Sequence, residues 1–182
     1  MEFDFTTFPR IKTARLSLKE ATHEDTESVF ALRSSEDLNR YVATKKMQNL
    51  EEASDFIQNC NRLYKTNNRI FWLIWLDTKV VGSIVLHRIV LNAHYAEIGY
   101  QLKSKYQQKG YMSEALQAVI QFGFDRLNIK TIEAFTHRNN LPSIALLEKH
   151  HFVYQPKRID AGFEKNCIFK LEKKASHFPK KE

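Results

Sequence analysis

A polar loop ahead of a predicted helix is the segment of this chain best suited to bind an anion. The loop covers residues 107–112, and Gly110 stands just before the helix. Backbone N–H groups at a helix N-terminus have no intrahelical acceptor, and the helix dipole is positive there, so both favour a phosphate. Glycine also lets a ligand approach the backbone closely. The loop is therefore a candidate pyrophosphate site, although a lone glycine between a strand and a helix is also typical of a plain turn.

A second candidate segment begins at Asn140, which precedes Pro142 and Ser143 at the start of another predicted helix. Taken singly, Asn140 is typical of a helix cap and Pro142 of a first helical turn. The combination is more specific, because the Asn-x-x-Ser pattern is followed by Glu148-Lys149 and Phe152. For Asn140 the sequence thus leaves a capping role and a ligand-binding role open.

Together these segments resemble the GCN5-related N-acetyltransferase (GNAT) family, which transfers acetyl from acetyl-CoA to an amine. The family's pyrophosphate signature is Arg/Gln-x-x-Gly-x-Gly/Ala; Gln107 and Gly110 fit it, and Met112 replaces the small last residue. The second pattern matches Asn-x-x-Ser…Glu-Lys-x-Gly-Phe, with His151 where glycine is usual. Because that position often needs a positive φ, we predict a left-handed His151.

The resemblance covers about residues 10–172 and implies a cofactor site. The strand around Gly99 is similar to the one that lines the pantetheine arm of acetyl-CoA, and Asn140 would hydrogen-bond that arm. The loop would hold the pyrophosphate mostly through its main chain. The cofactor-binding residues implied are Gln101, Leu102, Gln107, Gln108, Lys109, Gly110, Tyr111, Met112, Ser113 and Asn140.

The opening residues indicate a branch of the family. Thr13-Ala14-Arg15-Leu16 resembles the entry strand of ribosomal-protein N-terminal acetyltransferases. The resemblance implies a protein N-terminal α-amine as acceptor, attacked directly in a ternary complex. A small-molecule amine is the alternative; a polyamine fits less well because a chain of net charge +7 repels it.

Two residues are predicted to carry the chemistry, which requires a base for the ammonium and a proton for the departing thiolate. Glu97 is the candidate base, and a paired strand acid is its alternative interpretation. Alternation along a strand places Glu97 and Gly99 on one face, and Gly99 is predicted to mark a bulge. Ser143 is the candidate proton donor by resemblance. The alternative bases are His87, His94 and His137.

The elements that must position these residues form an α/β pattern. Strands are predicted at residues 15–20, 69–76, 80–91, 94–102, 131–136, 152–159 and 163–171, and helices at 22–33, 50–64, 112–127 and 141–150. This order predicts a mixed sheet of about seven strands with helices on both faces. The resemblance adds a splay between the fourth and fifth strands.

Composition sets the remaining bounds. With 182 residues, 43% apolar and 27% charged, the chain is expected to form one globular domain, 1–182, ending in a basic tail at 173–182. Its longest apolar run is far shorter than a bilayer span, and residues 1–10 do not resemble a secretory signal. Cys60 and Cys167 lack metal-ligand spacing, so we expect no metal site. From the short apolar run, the lack of a secretory signal and the low cysteine count we also expect no membrane association and a cytoplasmic location.

Two other functions compete with acetyl transfer. A basic RNA-binding module would suit the net charge, but the aromatic sheet motif of such modules is missing. We expect contact with nucleic acid only if the acceptor protein is part of a ribosome. The second competing function is that of a regulator that binds CoA but does not catalyse acetyl transfer. The tryptophan and phenylalanine content is compatible with a homodimer.

Overall fold

The computed structural model describes residues 4–42 and 45–174, which build a mixed eight-stranded sheet. The order in the sheet is β1-β2-β3-β4-β5-β6-β8-β7, with β5 and β6 parallel and the other neighbours antiparallel. The predicted mixed sheet is thereby confirmed. The strands β1 to β8 are Ile11–Lys12, Ser17–Glu20, Ile70–Leu76, Lys79–Val90, Tyr95–Leu102, Thr131–His137, Val153–Tyr154 and Asn166–Glu172.

Both ends of the sheet differ from the prediction. The extra strand β1 has only two residues, paired with β2 through Ile11 and Leu18, and is too short to show a periodic pattern. Strand β7 also has two residues, although the sequence predicted 152–159. Pro156 explains this shortening, because proline has no N–H to donate to a strand ladder.

Helices cover both faces of the sheet, as predicted. On one face, α1 and α3 pack against Phe71 and Leu73; on the other, α4 packs with Trp72 and Ile74. Alternate residues of β3 thus feed two separate cores. Among the described residues no helix is long and apolar enough to cross a membrane. The helices α1 to α5 are Thr26–Ser34, Glu36–Asn39, Leu50–Lys65, Tyr111–Asp125 and Leu141–Lys149.

The sheet opens between β5 and β6. These strands pair only from Tyr95 opposite Thr131 to Glu97 opposite Glu133. Beyond that point β5 stays paired with β4, while β6 stays paired with β8. The predicted splay is therefore confirmed, and it leaves strand edges to which an extended ligand can hydrogen-bond.

The predicted bulge at Gly99 is wrong. Gly99 pairs with Val85 in unbroken register, and the irregularity lies in β4 between His87 and Val90. Arg88 takes the positive φ there, at 46°. The bulge brings its guanidinium to Glu97, which its Nη1 reaches at 3.0 Å.

The end of α5 confirms the predicted left-handed residue, since φ at His151 is 64°. The amide of His151 donates to the carbonyl of Glu148 at 2.9 Å, and the amide of Phe152 donates to that of Leu147 at 3.0 Å. This pair of hydrogen bonds is a Schellman motif, which satisfies carbonyls left without partners at the end of a helix.

We predict that His151→Gly raises the free energy of unfolding by up to about 1 kcal/mol, because glycine adopts this conformation without steric cost. Denaturant unfolding measures the change. Lys149→Gly, inside the same helix, serves as the control and should destabilise by about 1 kcal/mol. A His151→Gly protein less stable than the parent contradicts the strain argument.

Candidate active site

A cavity of about 360 Å³ occupies the opening between β5 and β6. Its walls come from the diverging strands, the first turn of α5 and the sheet face that carries α1 and α3. The cavity therefore reaches from the predicted segment that begins at Asn140 to the opposite face of the sheet. The lining residues used below are Arg33, Phe56, Arg69, Phe71, His87, Tyr100, Gln101, Asn140 and Ser143.

Ser143 and Tyr100 meet in this cavity. The hydroxyl oxygens of the two residues are 2.9 Å apart. Asn140 caps α5, where its Oδ1 accepts from the amide of Ser143 at 3.4 Å. Burial raises the pKa of Tyr100 to about 12, so its phenol stays protonated at neutral pH. The predicted acid Ser143 thus has a second hydroxyl beside it, and no sequence pattern identifies Tyr100 for this position.

Glu97 lies among charged partners and is only 6% exposed. Its Oε1 accepts hydrogen bonds from Arg88 and from the Tyr95 hydroxyl, each at 3.0 Å. The same hydroxyl lies 3.1 Å from Oε2 of Glu133, and Arg158 donates one hydrogen bond to each oxygen of that carboxylate. Two buried carboxylates are thus balanced by two arginines, which offsets the cost of burying their charge.

His87 lies between Glu97 and the cavity. Its Nδ1 is 3.7 Å from Oε2 of Glu97, and its ring lines the cavity wall. Burial, with the charges of Arg69 and Arg88, lowers the pKa of His87 to about 4. The imidazole is therefore uncharged at neutral pH, and it is a weaker base than an ordinary histidine.

The other two candidate histidines have different surroundings. His94 Nδ1 lies 2.8 Å from the carbonyl oxygen of Asn128. His137 Nδ1 accepts from the amide of Asn139 at 3.1 Å, and its ring stacks on Tyr41 with centroids 5.4 Å apart. Of the three, His87 is the one brought next to Glu97.

The loop before α4 has the backbone shape that its glycine predicted. Gly110 caps the helix with φ at 79°, and Gln108 has φ at 58°. The amides of Tyr111, Met112 and Ser113 lie in the first helical turn, where N–H groups have no intrahelical acceptor.

Several side chains of this loop bind the protein itself. Gln107 Nε2 donates to the carbonyl of Leu102 at 2.9 Å, and Lys109 Nζ donates to that of Lys105 at 2.9 Å. Ser113 Oγ lies 2.8 Å from His150 Nε2, which joins the start of α4 to the end of α5. The loop is thus held in shape by its side chains, which leaves ligand contacts to the main chain.

The entry motif at residues 13–16 supports the same loop. Arg15 pairs with Glu114 at 2.7 Å, and its Nη1 donates to the carbonyl of Lys109 at 3.1 Å. The hydroxyl of Thr13 donates to Glu114 at 2.6 Å. The sequence singled out this motif by resemblance, and its contacts give it a positioning role.

Three predicted cofactor residues lie partly or wholly in the protein's own packing. Leu102 and Met112 are buried in the core, so only their main chain is open to a ligand. Gln101 lines the cavity, but its Nε2 donates to the side chain of buried Asn39 at 2.8 Å. Among the described residues no cluster of three or more histidine, cysteine or acidic side chains could hold a metal.

Comparison with known proteins places the chain in a family. Residues 15–153 match the model described as "Acetyltransferase (GNAT) domain", and the chain belongs to that family. It is an N-acetyltransferase that uses acetyl-CoA as its acetyl donor. It is 34% identical over 147 residues to the uncharacterized N-acetyltransferase YoaA of Bacillus subtilis strain 168, covering 80% of this chain and 83% of that protein.

Solved structures share the fold. RimL, a ribosomal L7/L12 alpha-N-protein acetyltransferase solved with coenzyme A, superposes with a TM-score of 0.80 at 20% identity, covering 90% of this chain and 98% of that one. The microcin C7 self-immunity acetyltransferase MccE, solved with acetyl-CoA and AMP, gives 0.74 at 20% identity, covering 87% and 93%. These structures show that the fold is shared, and the acetyl donor follows from the family match.

Proposed function

We propose that this N-acetyltransferase acetylates a protein N-terminal α-amine, such as that of a ribosomal protein, by direct attack in a ternary complex. The observation that carries the proposal is the cavity through the open sheet, because it lets two substrates meet from opposite faces. The likeness to RimL supports the acceptor class. A ribosomal acceptor also supports a cytoplasmic location; a homodimer stays a prediction.

The proposed cofactor site uses main-chain groups. The first-turn amides of α4, at Tyr111 to Ser113, would bind the pyrophosphate, with Gly110 leaving room for it. The free edges of β5 and β6 and the side chain of Asn140 would bind the pantetheine arm. We further propose that the whole chain is one acetyltransferase domain. Of its basic tail, 173–182, residues 175–182 lie outside the described part of the structure.

The proposed base is Glu97, reached through His87. Neutral His87 in the cavity wall can hydrogen-bond the acceptor ammonium or a water molecule and direct the proton to the carboxylate behind it, which accepts that proton. The arginine and tyrosine on Glu97 keep the carboxylate in place. The neutral amine then attacks the thioester carbon, the C–N bond forms and the C–S bond breaks. Ser143, beside Tyr100, is proposed to protonate the departing thiolate.

We expect Ser143→Ala to lower kcat by about tenfold, because a thiol with a pKa of about 8.5 leaves well even without an acid. The loss should grow as pH rises, since solvent protons become scarce. Steady-state CoA release measures both effects, with Ser54→Ala on α3 as a control away from the cavity lining. A loss that shrinks with pH would remove Ser143 from the role of acid.

An acceptor panel read by CoA thiol release tests the proposed function. The panel contains peptides with free and blocked N-termini, a polyamine and small-molecule amines. We expect release with free N-termini only. Turnover of the polyamine or small amines alone contradicts a protein acceptor. Acetyl-CoA binding without release for any amine identifies a regulator rather than an enzyme.

A further inference from the structure

The hydroxyl groups of Tyr100 and Ser143 bridge the opening of the sheet. Tyr100 lies on β5 and Ser143 in the first turn of α5, and their oxygens are 2.9 Å apart. Both side chains line the cavity. Within the described residues neither hydroxyl has a second hydrogen-bond partner in the protein. The pair holds two protons and uses one of them internally, so one O–H remains for whatever binds in the cavity.

The chemistry of the two groups sets the direction of the internal hydrogen bond. A phenol is a stronger acid than an aliphatic alcohol and is therefore the better donor. Tyr100 thus donates to Oγ of Ser143, and the serine proton is the one left free. Accepting this hydrogen bond polarises the serine O–H and strengthens it as a donor. Burial raises the pKa of Tyr100 to about 12, so the phenol keeps the proton that this arrangement needs at neutral pH.

The pair lies on the face of the sheet opposite to Glu97. Successive residues of β5 alternate between the two faces, and Tyr100 packs against the core that contains α4 and Leu147 of α5. Phe56 and Phe71 belong to the other core and line the far end of the cavity. The proposed cofactor segments, the loop before α4 and the first turn of α5, adjoin the core under Tyr100. A free O–H there is placed for the departing sulfur rather than for the acceptor amine.

We propose that Tyr100 is a positioning residue, which orients the Ser143 proton toward the departing sulfur and replaces that proton once it is transferred. When the C–S bond breaks, its electron pair stays on sulfur, which takes the serine proton. The tyrosine proton then moves to Oγ of Ser143, and the phenolate regains a proton from water. The inference rests on the proposed role of Ser143 as the acid, and it adds the group that enables an alcohol to act as one.

Tyr100→Phe should lower kcat about three- to tenfold, which corresponds to one hydrogen bond, while KM for acetyl-CoA changes less than about twofold. The loss should grow as pH rises, as for Ser143→Ala, because solvent protons become scarce. Steady-state CoA release with any amine that is turned over measures both effects. Tyr64→Phe is the matched control, because burial also raises the pKa of Tyr64 to about 12 and its hydroxyl donates to the carbonyl of Thr7 at 2.7 Å. It should leave kcat and the pH profile unchanged.

A double-mutant cycle separates positioning from a structural or an independent role. If Tyr100 acts through Ser143, Tyr100→Phe in the Ser143→Ala protein should change kcat less than about 1.5-fold. Equal losses in the two backgrounds, or a loss that does not vary with pH, overturn the inference. The other titratable side chains of the cavity wall are Tyr41, His87, Arg33 and Arg69. Each comparison is made between two proteins at the same pH, so the charges of these groups are common to both.

Binding of CoA tests the inference without any acceptor. An O–H that faces the sulfur stabilises the thiolate and lowers the pKa of the bound thiol below about 8.5, so the affinity for CoA should rise with pH up to that value. Calorimetry compares CoA with desulfo-CoA, which lacks the thiol, between about pH 6.5 and 9.

The ratio of the two affinities should rise with pH in the parent protein and clearly less in Tyr100→Phe and Ser143→Ala. A flat ratio in the parent, or an equal rise in the parent and in Tyr100→Phe, overturns the inference. Failure of the proposed function gives a different result, since no amine then supports CoA release, and the binding comparison still decides the role of Tyr100.

Discussion

Glu97→Gln is expected to lower kcat by about 10²–10⁴, the usual contribution of a positioned general base. The loss should shrink at high pH, where more of the acceptor amine is already neutral. Because the pKa of His87 is lowered to about 4, its own charge does not change in the alkaline range, and the acceptor amine dominates the profile. Acetyl-CoA affinity should be unchanged, since the carboxylate lies away from the loop before α4. Steady-state kinetics with a free-α-amine peptide measures the effect.

Glu133→Gln is the matched control. This substitution removes a carboxylate from the same Tyr95 hydrogen-bond network. Glu133 lies on β6, directly opposite Glu97 on the neighbouring strand β5. A small effect there, with a large one at Glu97, separates base catalysis from general damage to the network. Full activity of Glu97→Gln removes it from the mechanism. The base is then His87, a water chain, or no group at all, since an α-amine with a pKa near 8 is already partly neutral.

Gly110→Glu is expected to weaken acetyl-CoA affinity by tenfold or more, on the order of 1.4 kcal/mol. A Cβ at this position would lie 3.3 Å from Nη2 of Arg15, in the positive-φ backbone that caps α4. The added carboxylate would repel the phosphates and occupy the space in front of the first-turn amides. Calorimetric titration with acetyl-CoA measures the loss.

Gly162→Glu provides the matched control for backbone strain. Gly162 also has positive φ, at 84°, and an added Cβ would meet nothing within 4 Å. It therefore carries the same charge and strain penalty without approaching the loop. Wild-type affinity in a folded Gly110→Glu protein contradicts the pyrophosphate site.

Local patterns predicted much of the fold because they report local physics. Alternation identified the meander β3 to β5, and helical spacing of apolar residues located α3. The structure adds the cap of that helix, where Asn49 accepts from the amide of Glu52. The two-residue strands and the four-residue helix α2 were missed or misjudged. Elements that short are fixed by tertiary pairing rather than by their own periodicity.

The sequence predicted those parts of the candidate site whose residues form one contiguous motif. The loop at Gly110 and the Asn140–Ser143 turn are contiguous motifs, and both lie where a strand or loop leads into a helix. The contact of Tyr100 with Ser143 joins residues far apart in sequence. The bulge at Arg88 was expected at Gly99 because glycine permits irregular backbone, yet a non-glycine residue on the neighbouring strand takes it.

Isotope-labelled acetyl-CoA tests the central claim most directly. The protein is incubated with labelled acetyl-CoA and a peptide with a free N-terminus, and mass spectrometry then locates the label. The account predicts one labelled acetyl group on the peptide α-amine, none retained on the enzyme, and a rate that falls in Glu97→Gln. Label held covalently on the enzyme, or bound acetyl-CoA with no labelled amine, would contradict direct transfer at this site.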